Sequence, residues 1–292
     1  MSAESFLGGR PYLWELSKPD DYFIFYHKKL EKLRTYLEGH SVTLVAYFRQ
    51  QNKWLESAIP QIIRYEGTMG QRIYENDKQL IDLLSPRMDY NRLIGTWDNV
   101  VSPDHMRLRE YNRDNFPENN VIVDFLRQIG VSDERLSAID CSDNVHDSWS
   151  REFIEIKKRL NIQQKSRIQE DAIIEVITRL NKEYGSQKKY QLPQDVHNAV
   201  LGRFKESNKA LSDNYNDGSL LFSEHPKIES SGVYTPPSSK EIAEAMSMFE
   251  QYYKSWRGRR VFILSVFKRF LKKLSPFLYS MCALQWKKMK GV

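Results

Sequence analysis

Cysteine is almost missing from this chain: its 292 residues include two, Cys141 and Cys282. Thiols so few and so far apart exclude a disulfide framework and a cysteine-bound zinc, and they suit a reducing compartment. No uncharged apolar run reaches the roughly 18–20 residues that a membrane-spanning helix requires. The opening, MSAESFLGGRPYLWEL, has neither a basic start nor an apolar stretch of signal-peptide length, so a cytoplasmic protein is expected. The six histidines, His27, His40, His105, His146, His197 and His225, show no HExxH or paired spacing, and no metal is expected. Internal repeats and low-complexity tracts are also lacking.

Acid is missing from one end. Residues 254–292 hold eleven Lys and Arg and no Asp or Glu, so the net charge of +6 leaves −5 for residues 1–253. A basic pI therefore says nothing of a nucleic-acid-binding body, and no nucleic-acid partner is expected. What the chain does have is 40% hydrophobic and 12% aromatic residues, enough to bury a core and to exclude global disorder.

SKPDDYFIFYHKKLEKLRTYLEGH opens with Ser17, Pro19 and two aspartates, then sets Tyr22, Tyr26, Leu30, Leu33 and Leu37 at helical spacing before Gly39. VTLVAYF is a continuous β-branched run, as expected of a strand covered on both faces. QNKWLESAIPQIIRYEG reads as a helix distorted at Pro60; QRIYENDKQLIDLL and DYNRLIGTWDNVV read as two more. HMRLREY alternates like a short strand, and NVIVDFLRQIGV reads as a helix stopped by Gly130. This order predicts an α/β sheet with parallel crossovers. Residues 150–215 read as almost wholly helical, and 216–239 as loop. Two strands make a small sheet, and a further strand upstream of Met1 is expected.

Arg49 follows a strand and precedes a helix that carries Ser57 in its second turn. The carboxyl ends of strands and the N-termini of helices favour anions, and a guanidinium matches phosphate oxygens. The same residues also read as a surface arginine and a solvent-facing serine. VAYFRQQNKWLESAI resembles the 3′-phosphate-binding motif of sulfotransferases: a strand, an Arg, seven residues and a Ser. DYNRLIGTW resembles the family's Tyr-x-x-x-Leu…Trp helix, and MRLREYNRDNFPENNVIVDFL its next strand, turn and helix. FKESNKALSDNY resembles the late N-x-x-L helix of carbohydrate sulfotransferases. The similarity spans roughly residues 41–222 and is closest to sulfotransferase-like proteins of bacterial polysaccharide gene clusters.

The resemblance implies a P-loop-like three-layer α/β domain over residues 1–222, lacking its first strand and phosphate loop. A linker over 223–240 and a basic amphipathic helical tail over 241–292 follow. It implies sulfonate transfer from PAPS, the activated sulfate donor, to a saccharide hydroxyl. Arg49, Ser57 and Tyr111 would bind the donor, with Glu4 as the base and Asp89 and Tyr90 beside the cleft. Tyr90 reads equally well as a core residue. No segment matches the family's phosphate loop, which keeps open a non-catalytic remnant of the same fold. A glycosyltransferase would need an Asp-x-Asp, and none occurs. HDSWSREF is too tightly spaced for a Ser/His/Asp triad and reads as a loop entering a helix. Arg203 and Lys205, two apart on one helix, point different ways, one toward the nucleotide and one to solvent. In the tail, Val261, Leu264, Phe267, Leu271 and Leu274 form one stripe against a basic side. That pattern fits an anionic membrane surface, through residues 258–292, or packing on the protein body.

Overall fold

The computed structural model describes residues 19–65, 77–139, 148–161, 167–222, 235–255, 258–261 and 263–264. The fold is mixed α/β and mostly helical, with one parallel two-stranded sheet among the described residues. In chain order the helices are α1 (Pro19–Leu37), α2 (Gln51–Tyr65), α3 (Asp77–Met88), α4 (Tyr90–Val101), α5 (Val121–Gln128), α6 (Asp133–Leu136), α7 (Arg151–Asn161), α8 (Arg167–Tyr184), α9 (Gln194–Tyr215) and α10 (Ser239–Lys254). The strands are β1 (Thr43–Phe48) and β2 (His105–Glu110). The chain divides into two compact units. The first comprises Met1–Ser57, Glu75–His146 and Leu192–Tyr234; the second comprises Ala58–Tyr74, Asp147–Gln191 and Thr235–Val292. The first of the chain's crossings between them, after Ser57, falls within α2.

In the first unit, β1 and β2 run parallel in a register that sets Thr43 opposite His105 and Phe48 opposite Glu110. Alternation gives each strand two faces. Leu44, Ala46, Phe48, Met106 and Leu108 join one apolar cluster with Tyr22, Tyr26 and Leu30 of α1, Tyr90, Leu93 and Ile94 of α4, and Leu211 of α9. The spacing of Tyr22, Tyr26 and Leu30 foretells this buried stripe, and Leu30 has no exposed surface. Phe48 stacks on Tyr90 with ring centroids 4.5 Å apart. The opposite face meets α5: Tyr47 donates its hydroxyl to Asp124 at 2.5 Å, and Arg109 pairs with the same carboxylate at 2.8 Å.

Helix ends follow local chemistry. Asp89 caps α4 by accepting from the Arg92 backbone N–H, and Asn120 caps α5 through Ile122. Gly39 and Gly130 take φ of +78° and +84° just past α1 and α5, a left-handed conformation that glycine adopts without a Cβ clash. α2 runs through Pro60 without a break, and α3 likewise contains Pro86. The expected two-sided burial of β1 is not found: Phe48 is its one buried residue. Both faces have neighbours, but β1 has a single hydrogen-bonded partner strand among the described residues, so its other edge leaves side chains half-exposed.

In the second unit, α7 packs on α10 and α8, and α8 on α10. Lys157 has no exposed surface and pairs with Glu170 at 2.9 Å and with Asn161. Asn161 in turn donates to the Ile63 carbonyl at 2.9 Å. Arg151, also buried, pairs with Glu241, which closes a capping box with Ser238 at the start of α10. Ile154, Ile156, Ile173, Val176 and Ile177 form the apolar interior. No helix among the described residues is long and apolar enough to cross a membrane.

Candidate functional site

Parallel pairing brings both strand ends to one side. Since Phe48 faces Glu110, the residues that follow, Arg49 and Tyr111, are neighbours, and the Tyr111 N–H donates to the Phe48 carbonyl at 2.6 Å. The Arg49 guanidinium lies 4.3 Å from the centroid of the Tyr111 ring. Tyr111 is held edge-on by Phe116 at 5.5 Å, and Phe116 is met edge-on by Tyr47 at 5.7 Å. Arg49 and Tyr111 are both half-exposed, so the guanidinium is fixed on an aromatic plane and still reachable.

The Arg49 backbone is fixed as well. Its carbonyl accepts the Tyr90 hydroxyl at 2.7 Å. Burial raises the Tyr90 pKa, against the opposing Arg49 charge, so the phenol stays a neutral donor. Tyr90 is therefore a core residue that also braces the strand tip. Two residues after Arg49, α2 begins with Gln51 and Asn52, neither with exposed surface. Gln51 donates to the Met88 carbonyl at 3.1 Å and to Asn208 Oδ1 at 2.6 Å, and Asn208 donates back to Gln51 Oε1 at 3.0 Å. Asn52 Nδ2 lies 2.6 Å from His197 Nε2 on α9. The first turn of α2 carries no acidic residue, so its positive dipole end is not neutralised there.

Four stretches singled out in the sequence thus meet at the strand ends: the Arg49 link, the start of α4, the turn after β2 and the middle of α9. Arg49 and Tyr111, both expected to bind the donor, are brought into contact. Ser57 is half-buried on α2, six residues past the helix start or about 9 Å along its axis. Arg49 lies on Tyr111, and no hydrogen bond joins it to Ser57. Glu4 lies outside the described residues. Asp89 accepts Ser207 Oγ at 2.6 Å besides capping α4, which makes it a joint between α4 and α9. An open pocket of about 290 Å³ beside that joint is lined by Phe23, Ser85, Asp89, Arg92, Arg203 and Ser207. Arg203 pairs there with Asp82, while Lys205 is exposed.

One residue at this end escaped the sequence reading. Glu110 closes β2 in line with Met106 and Leu108, on the face that enters the apolar cluster. It is half-buried, and burial raises its pKa. Its carboxylate has no hydrogen-bond or ion-pair partner among the described residues. A charge at an inward position of an alternating strand was the available signal. No group of three or more His, Cys, Asp or Glu among the described residues could hold a metal ion.

Compared with known proteins, the chain matches no family model and no solved structure. It is similar to a protein of Archaeoglobus fulgidus, described as uncharacterized, with 26% identity over 186 residues. The matched region covers 63% of this chain and 48% of the relative, so the chain spans about half the length of the curated relative it matches.

Proposed function

We propose that the strand-end site binds a nucleotide 3′-phosphate and that the protein is sulfotransferase-like, of P-loop-related fold. The observation that carries this reading is the meeting of Arg49, Tyr90, Tyr111 and Asn208, drawn from four separated stretches that resemble that family in order. The donor set fits a phosphate: a reachable guanidinium, the N-terminal turn of α2 without an acidic residue, and the Ser57 hydroxyl farther along. Bound there, PAPS would supply a sulfonate whose bond to the phosphate oxygen breaks as a saccharide hydroxyl oxygen bonds to sulfur, releasing adenosine 3′,5′-bisphosphate. This chain's residues would hold the 3′-phosphate, orient the donor, and take the hydroxyl proton on a carboxylate, Glu4 being the candidate base. The acceptor is a saccharide of surface polysaccharide assembly, and the protein works at the inner face of the cell membrane, held by residues 258–292.

A second reading is a non-catalytic, membrane-associated remnant or interaction protein of the same fold, in which the site binds a nucleotide without transferring sulfonate. One experiment separates the two. The full chain is titrated calorimetrically with adenosine 3′,5′-bisphosphate, then incubated with ³⁵S-labelled PAPS and a panel of polysaccharides. Binding with transfer supports the enzyme, binding without transfer supports the second reading, and no binding overturns both.

A further inference from the structure

We infer that Asn208 is a positioning residue for Arg49: α9 sets the strand-tip arginine through its paired amide contact with Gln51. The functional half of this inference rests on the phosphate-binding reading of Arg49; the structural half does not.

Arg49 sits in a two-residue link between Phe48, the last residue of β1, and Gln51, the first of α2. A link so short takes its geometry from what holds its ends. On the strand side the Tyr90 hydroxyl holds the Arg49 carbonyl at 2.7 Å. On the helix side Gln51, without exposed surface, makes three hydrogen bonds through its amide, two of them with Asn208. The two amides match donor to acceptor in both directions, at 2.6 and 3.0 Å, which fixes their mutual plane as well as their distance. Only a second amide can do this. A carboxylate at 208 would turn an oxygen toward Gln51 Oε1, and an aliphatic side chain would leave a buried amide half-satisfied.

α9 is a suitable fixed point. Phe204 and Leu211, both buried, seat it in the apolar interior, so Asn208 stands on a held surface. The residue before it, Ser207, bonds Asp89, the cap immediately before Tyr90. Consecutive residues of α9 thus brace both supports of Arg49: Ser207 the start of α4, and Asn208 the start of α2. The sequence separation of 157 residues between Gln51 and Asn208 hides this link from any local reading.

The test uses the full chain with Asn208→Leu, Asn208→Asp, and the exchanged pair Gln51→Asn with Asn208→Gln, which restores an amide on each side. Hydrogen exchange by mass spectrometry follows the Trp54 amide, whose bond to the Gln50 carbonyl at 2.9 Å closes the first turn of α2. Exchange at Trp54 is expected to rise at least tenfold in both single variants, with residues 105–110 unchanged, and to fall back in the exchanged pair. In calorimetry the Kd for adenosine 3′,5′-bisphosphate is expected to rise at least tenfold in Asn208→Leu. Adding Arg49→Ala should then weaken binding by less than the product of the two separate effects. Unchanged exchange at Trp54 in a folded Asn208→Asp protein overturns the positioning role, as does strict multiplication of the two affinity losses. If the wild-type chain binds no nucleotide, the phosphate reading fails, and the Trp54 exchange alone decides whether Asn208 positions the start of α2.

Discussion

The guanidinium of Arg49 lies over the ring of Tyr111 at 4.3 Å, and each is the first residue beyond its strand. A cation held on a ring face keeps its in-plane N–H groups directed outward, so the stack orients the fork without consuming it. Replacing Arg49 by Ala or Lys is expected to weaken adenosine 3′,5′-bisphosphate binding by about 2–3 kcal/mol, the scale of a lost charge-assisted hydrogen bond. Ser57→Ala should cost about 1 kcal/mol. Neither change should move the thermal midpoint of the free protein much. Calorimetric titration checks this, and undiminished binding by Arg49→Ala would remove Arg49 from the site.

Tyr111 should act through its ring alone. Tyr111→Phe is expected to bind the nucleotide as the wild type does, whereas Tyr111→Ala should lose about 0.5–1 kcal/mol of affinity with the stack. Equal affinities for all three proteins would show that the stack does not orient Arg49.

Glu110 gives a pH dependence with a definite sign. Burial holds its pKa above the ordinary 4.5, so the folded state binds the proton more tightly than the unfolded state. Its contribution to stability is fully present below pH 4.5 and is lost as pH rises through the higher folded value. Glu110→Gln, which stays neutral throughout, should therefore raise the thermal midpoint at pH 7 and leave it nearly unchanged at pH 3. A lower midpoint at pH 7 would mean that the carboxylate has a favourable partner.

Glu241 has the opposite sign. Hydrogen bonds from the Ser238 backbone and side chain, then from Arg151, lower its pKa from 4.5 to about 2. The stability it contributes is present above pH 4.5 and is lost as pH falls toward 2. In Glu241→Gln the acid-induced loss over that window should be smaller than in wild type. Thermal melts at pH 5, 4 and 3 measure the difference, and parallel curves would rule it out.

Removing residues 258–292 should shift the protein from the membrane fraction to the soluble fraction, and added salt should weaken binding of the whole chain to anionic vesicles. Val261, the first apolar position of that segment's stripe, is buried at 2% exposure, whereas Ile263 is 64% exposed. Val261 thus packs on protein, and the rest of the stripe from Phe267 onward lies outside the described residues. Equal recovery in the soluble fraction with and without these residues would end the membrane reading.

Much of the local structure was legible. Alternation marked β2, the β-branched run marked β1, and Gly39 and Gly130 stopped helices where their chemistry demands, whereas the capping of α4 by Asp89 was not read. The half-exposed edge of β1 was not legible, because a run of apolar residues reports side-chain character and says nothing of how many strands flank it. At the site, Arg49 and Tyr111 were each visible as strand-end residues, but their contact depends on a register that no single segment encodes. The bracing of Arg49 by Tyr90 and of Gln51 by Asn208 was out of reach for the same reason. Glu110 was within reach, since its place in the Met106–Leu108 alternation points inward.

The pairing of Gln51 with Asn208 also carries a schedule. A ribosome adding 5–20 residues per second reaches Asn208 about 8–30 s after Gln51, since 157 positions separate them. Until then Gln51 lacks two of its three amide hydrogen bonds, while the Met88 and Tyr90 contacts are already within the synthesised chain. If Arg49 binds a phosphate as proposed, its final setting would have to await the emergence and docking of α9.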